Sequence, residues 1–137
     1  MSRFVIDASV VLSWCFPDEH SPVADKVALM FKRGDTAIAP AFWPHEVLNG
    51  LLVGEKRRRI STALIDSFLG DLSVLPVDLY EVAAAEVFGR IQELSRQHEL
   101  TAYDAAYFHL AEEGRLKLAT LDDNLIDACR RSGVDLI

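Results

Sequence analysis

Four carboxylates carry the chemistry that this chain suggests: Asp7, Glu46, Asp104 and Asp122. Asp7 ends the apolar run Phe4-Val5-Ile6, and Asp122 stands just after the apolar stretch Leu116–Thr120. Glu46 lies one turn into a helical pattern that follows Thr36–Ala39, and Asp104 lies in the first turn of the pattern Leu100–Glu113. Placed on one rim, four acids raise one another's pKa and oppose folding unless a cation joins them. Mg²⁺ or Mn²⁺ is the natural choice, because hard divalent ions prefer carboxylate oxygen and water. No histidine or cysteine accompanies the acids in ligand spacing, which argues against zinc. His45-Glu46 starts an HExxH pattern that fails at Asn49. A carboxylate-held ion is suited to phosphodiester hydrolysis, since it lowers the pKa of a bound water and stabilises charge on the leaving oxygen.

Each acid also has a plainer explanation. Asp7 and Asp122 could cap the helices that follow them. Thr101 with Asp104 fits the [ST]-x-x-[DE] capping box. Glu46 could be a solvated first-turn acid favoured by the helix dipole. Small polar neighbours accompany the set. Ser9 follows Asp7 by two, Asn49 lies nearly one turn after Glu46, and Thr120 precedes Asp122 by two. Ser9 could orient a carboxylate or bind phosphate. Asp123 adjoins Asp122 and leaves open which of the two belongs to the group.

The elements that must position these residues follow from the apolar pattern. Phe4–Ile6, Thr36–Ala39, Val74–Val77, Leu116–Thr120 and Val134–Ile137 read as strands, the first buried on both faces. Pro76 places the third near a sheet edge. Helices are expected over Ala8–Phe16, from Ser21-Pro22 to Lys32, and from about Trp43 to Arg57. Others are expected from Ser61 to near Leu72, over Leu79–Gln97 and Leu100–Glu113, and over Asp123–Ser132. Strands alternating with helices imply an α/β fold with a parallel central sheet covered on both faces. Ligands in such sheets bind at the carboxyl ends of the strands, near a topological switch point. That edge is where the four acids fall.

The sequence has 137 residues, half of them hydrophobic, which suits one domain with a substantial core. Its net charge of −7 gives no bulk attraction for an anionic partner. A bound metal or a local patch can reverse that sign, and Lys56-Arg57-Arg58-Arg59 is such a patch. The same residues would also complement a helix C-terminus without any ligand. Cys15 and Cys129 have no metal or redox spacing and fit free thiols in a reducing cytoplasm. His20, His98 and His109 show no partners in the sequence and read as structural or surface residues. No signal peptide or membrane-spanning run is apparent.

Four segments together resemble the PIN-domain ribonucleases, above all the VapC-like toxins of prokaryotic toxin–antitoxin pairs. They are VIDASVVLSWCF, APAFWPHEVLNGLL, LTAYDAAYFHLA and LATLDDNLIDAC, in that order along the whole chain. The resemblance implies a three-layer α/β/α fold, often dimeric, so that a homodimer is expected. It implies Asp7, Glu46, Asp104 and Asp122 as catalytic metal ligands, with Ser9, Asn49 and Thr120 as their neighbours. The Thr120-Leu-Asp122 order favours Asp122 over Asp123. It further implies Mg²⁺- or Mn²⁺-dependent endonucleolytic cleavage of RNA. The expected partner is a VapB-like antitoxin that lies in a helical groove, reaches the acids with a basic side chain, and alone contacts DNA.

Other readings compete. A haloacid-dehalogenase-like phosphatase would need an acid where Ser9 stands. A phospho-receiver domain would need an acid pair at the first strand and a phosphoacceptor Asp after a middle strand, for which Asp78 is a poor substitute. A PIN domain that processes RNA would carry the same acids as a toxin, and a degenerate one would only bind. Trp14, Phe16, Phe42, Trp43, Leu51, Leu52 and Val53 flank the Asp7 and Glu46 segments. Those not needed for the core would line a surface for an amphipathic helix.

Overall fold

A computed structural model describes residues 2–137. Four parallel strands form the sheet: β1 (Arg3–Ile6), β2 (Thr36–Pro40), β3 (Val77–Tyr80) and β4 (Leu118–Ala119), in the order β3-β2-β1-β4. Phe4, Val5 and Ile6 are all buried, as are Ala37, Ile38 and Ala39. Successive strand residues point to opposite faces, so both faces of the central strands are covered by helices. The chain builds outward from β1 to β2 and β3, then returns to place β4 on the other side of β1. The switch point therefore lies between β1 and β4.

The helices are α1 (Ala8–Cys15), α2 (Pro22–Lys32), α3 (Trp43–Lys56), α4 (Thr62–Leu72), α5 (Ala84–Glu86), α6 (Gln92–His98), α7 (Ala102–Gly114) and α8 (Asp123–Ser132). Side chains cap several of them as the sequence suggested: Ser21 for α2, Ser61 for α4, Thr101 for α7. The helix α7 is buried through Ala105, Ala106, Tyr107, Phe108, His109 and Ala111 and packs on β1, β2 and β4. Two glycines let α3 approach α1. A Cβ at Gly50 would stand 2.5 Å from Leu12, and one at Gly54 would stand 2.5 Å from the Phe16 ring. That close contact fixes the start of α3, with Glu46, relative to the start of α1, with Asp7.

Three stretches differ from the sequence expectation. The third strand begins at Val77 rather than Val74. Pro76 has no N–H for the ladder; its carbonyl accepts from Ala37 N at 3.0 Å and the strand forms beyond it. Leu79 and Tyr80 are consequently strand residues, and the next helix starts at Ala84 and contains a π-helical turn over Val87–Ile91. The C-terminal segment adds a single bridge, Leu118 to Leu136, because β4 offers it only two residues. Helix α8 keeps the expected bounds Asp123–Ser132.

Candidate metal centre at the carboxyl edge

All four strands point the same way, so Asp7 after β1 and Asp122 after β4 emerge on one edge. Glu46 joins them from the first turn of α3, which follows β2. Helix α7 leads down into β4, so its first turn, with Asp104, returns to the same edge.

Asp7 is the most enclosed of the four, at 4% exposure. It is the N-cap of α1, and its Oδ1 accepts from Ser9 N at 3.0 Å and from the Ser9 hydroxyl at 2.5 Å. Its Oδ2 accepts from the Thr120 hydroxyl across the switch point. The two hydroxyls extend the network, since Ser9 Oγ accepts from Leu121 N at 2.9 Å and Thr120 Oγ1 accepts from Asp122 N at 3.0 Å. Burial pushes the Asp7 carboxyl up to about 6, against these donors, and the charge of Asp104 adds to the rise.

Asp104 is pushed up to about 6 as well, by burial first and then by the charges of Asp122 and Glu46. The capping reading is half right here. Thr101 Oγ1 accepts from Asp104 N at 3.1 Å, so Thr101 caps the helix. Among the described residues the Asp104 carboxylate makes no return bond to the Thr101 backbone. Asp122 does cap, with Oδ1 accepting from Leu125 N at 2.9 Å, and its charge still acts on Asp104. Asp123 is exposed at the first position of α8 and is not among the charges that raise Asp104.

Glu46 is half-buried, and its Oε1 accepts from the Tyr107 hydroxyl at 2.5 Å. Tyr107 is 1% exposed. Burial, and then the Glu46 bond and charge, push its hydroxyl far above the usual phenol range, so it stays a donor. Phe42 packs edge-on against Tyr107 at 5.6 Å and Tyr103 at 5.2 Å, walling that side. Sequence spacing alone did not single out Tyr107. A buried tyrosine needs a partner for its hydroxyl, and that need, three residues from Asp104, was the available signal.

The structure brings Ser9 and Thr120 into the network and leaves Asn49 exposed, with no hydrogen bond to the four acids among the described residues. The basic run lies at the far end of α3, about 16 Å from Glu46 along the helix axis. Arg59 is already engaged there by Asp18 and Glu19, each at 2.8 Å, and stacks 4.3 Å over Phe16. Among the described residues, no three of the rim acids bring oxygens within 4.8 Å of one another. The rim is an open set of like charges. The donor set is all oxygen, and like charge adds to the rise at Asp7 and Asp104, so the residues fit a hard divalent ion.

Residues 4–131 match the family model described as PIN domain. The chain is 30% identical over 125 residues to Ribonuclease VapC3 of Pyrobaculum aerophilum, covering 91% of this chain and 93% of that protein. Its fold is similar to the crystal structure of PAE2754 from Pyrobaculum aerophilum, with a TM-score of 0.67 at 18% identity, covering 93% of this chain and 84% of the other. The chain is thus matched in sequence and in fold over nearly its whole length, and it belongs to the PIN-domain family.

Proposed function

We propose that the chain is a metal-dependent endoribonuclease and the toxin of a toxin–antitoxin pair, with Asp7, Glu46, Asp104 and Asp122 as catalytic metal ligands. The observation that carries this reading is the gathering of the four acids at the carboxyl edge, where like charge adds to burial at Asp7 and Asp104. Burial raises Asp104, with the charges of Asp122 and Glu46 adding to it, and burial raises Asp7, with a smaller addition from Asp104. Such a grouping is unfavourable by itself and becomes favourable around a cation. Bound there, Mg²⁺ or Mn²⁺ would supply an activated water and charge stabilisation on the leaving oxygen. Ser9 and Thr120 hold the Asp7 carboxylate in one orientation, and Tyr107 does the same for Glu46. Lys56, Arg57 and Arg58, exposed at the far end of α3, would hold the RNA backbone some nucleotides from the cut. The name of the similar Ribonuclease VapC3 supports RNA as the substrate.

The partner in this reading is a VapB-like antitoxin. Of the apolar residues around the Asp7 and Glu46 segments, Phe16, Trp43 and Leu51 serve the core. Leu48, Leu52 and Val53 on α3 and Leu64 on α4 remain exposed, and they offer an amphipathic helix an apolar strip beside an acidic rim. A basic stretch at the end of that helix would reach the acids. The protein would act in the cytoplasm as one domain, and as a homodimer. Among the described residues no helix is long and apolar enough to cross a membrane.

The test is RNA cleavage by the purified chain after EDTA treatment, before and after adding Mg²⁺ or Mn²⁺. Cleavage that stops with EDTA, returns with either ion and is absent in Asp104→Asn supports the proposal. Robust cleavage in EDTA would exclude a metal mechanism.

A further inference from the structure

Helix α7 carries a second group of ligands, turned away from the rim. His109 lies about 7.5 Å further along the axis than Asp104 and roughly 140° around it. Its side chain is nearly enclosed, at 6% exposure. Its Nε2 stands 3.0 Å from Glu113 Oε2, one turn on along α7, and 3.3 Å from Glu86 Oε1 on α5. Ligand atoms of the three residues all lie within 4.8 Å of one another. Glu86 is followed directly by the π-helical turn Val87–Ile91, a feature that recurs at functional sites. A cavity of about 480 Å³, lined by Arg3, Tyr80, Glu81, Glu86, His109 and Glu113 among others, opens beside the group.

The buried imidazole distinguishes this group from acids gathered on a surface. Among the described residues His109 Nδ1 is buried without a hydrogen-bond partner, and the ring's polar contacts fall on Nε2. A single Nε2–H aligns well with one carboxylate. The second carboxylate is then a like charge held against the first. A doubly charged cation in place of that proton answers all three atoms at once. Metal–ligand bonds of about 2.0–2.1 Å in a tetrahedron set ligand atoms about 3.3 Å apart. The two nitrogen–oxygen separations of 3.0 and 3.3 Å are already near that spacing. One imidazole with two carboxylates is a borderline donor set that suits Zn²⁺ better than the hard ions of the rim.

We propose that Glu86, His109 and Glu113 form a Zn²⁺-binding site separate from the catalytic rim, with a fourth position open toward the cavity. The ion joins α5 to α7. Because it binds only the folded arrangement, it stabilises the fold rather than acting on RNA.

The test titrates ZnCl₂ into the Asp104→Asn protein, in which the rim is weakened, by calorimetry and thermal melting, with X-ray absorption to identify the ligands. The expected result is one Zn²⁺ per chain with an imidazole nitrogen in its shell and a raised melting temperature. The Glu86 and Glu113 side chains are 47% and 70% exposed, so Glu86→Gln with Glu113→Gln should leave the fold intact, which the melt without metal checks. Adding that pair should weaken Zn²⁺ by more than about 100-fold, beyond the loss caused by removing an outer partner of a ligand. On the native chain the same pair should leave Mg²⁺-supported RNA cleavage unchanged. Undiminished Zn²⁺ affinity in the glutamine pair, or no Zn²⁺ bound by Asp104→Asn, would overturn the site. Loss of cleavage together with Zn²⁺ would overturn its separation from the rim. The titration does not depend on RNA cleavage, so it stands even where the ribonuclease reading fails.

Discussion

The Tyr107 hydroxyl donates to Glu46 Oε1 at 2.5 Å and so links helix α7 to the first turn of α3. Tyr107 comes from the same helix as Asp104, three residues on, so one rigid element sets two corners of the rim. Tyr107→Phe removes the donor and keeps the packing against Phe42. A hydrogen bond to a charged acceptor contributes about 1.5–3 kcal/mol. We expect cleavage to fall about 10-fold at limiting Mg²⁺ and to recover partly at high Mg²⁺. A Mg²⁺ titration of the cleavage rate checks this, and an unchanged titration would reduce Tyr107 to a packing residue.

Thr120 bonds to Asp7 across the switch point while accepting from Asp122 N, so one hydroxyl organises two acids. Thr120→Val keeps the volume and deprives both. The cost should be about 1–3 kcal/mol for the groups left unsatisfied. Thr120→Ser, which keeps the hydroxyl, should lose much less. Urea unfolding of the two variants side by side measures the difference.

Burial and like charge raise both Asp7 and Asp104 from 3.8 to about 6. Between those values the folded chain binds more protons than the unfolded chain, so their contribution to stability falls as pH rises through that window. It is fully present below 3.8 and lost above about 6. In EDTA, Asp104→Asn should therefore gain on the native chain as pH rises, by about 1–2 kcal/mol near pH 7, allowing for the partial exposure of Asp104. Mg²⁺ should narrow that gap. Unfolding curves at low and neutral pH, with and without Mg²⁺, provide the four comparisons. An unfolded Asp104→Asn protein would favour the capping role over the metal role.

Gly54 and Gly50 set the approach of α3 to α1. Gly54→Ala drives a methyl against the Phe16 ring, over which Arg59 stacks, and should cost about 1–3 kcal/mol. Gly50→Ala meets only the flexible end of Leu12 and should cost less. Melting temperatures ranked native, Gly50→Ala, Gly54→Ala would agree with this geometry; the reverse order would not.

The sheet and the four acids were legible because each acid follows a short apolar run or opens a strong helical pattern. Local pattern therefore placed Asp7, Glu46, Asp104 and Asp122 on one edge. The start of β3 was not legible, because the apolar run Val74–Val77 hid the point where Pro76 interrupts the ladder. The pairing of Tyr107 with Glu46 is 61 residues apart in sequence and needs the tertiary fold. The same holds for His109, read as structural or surface, which meets Glu86 only once α5 packs beside α7. Asn49, placed by helical spacing alone, remains at the surface, since spacing fixes a helix face but not what covers it.

The most direct measurement is an anomalous-scattering map from crystals of the chain soaked in Mn²⁺. The account predicts a peak between the carboxylates of Asp7, Glu46, Asp104 and Asp122, weakened or absent in Asp104→Asn crystals. No Mn²⁺ on that rim, in a protein that still cleaves RNA, would contradict it.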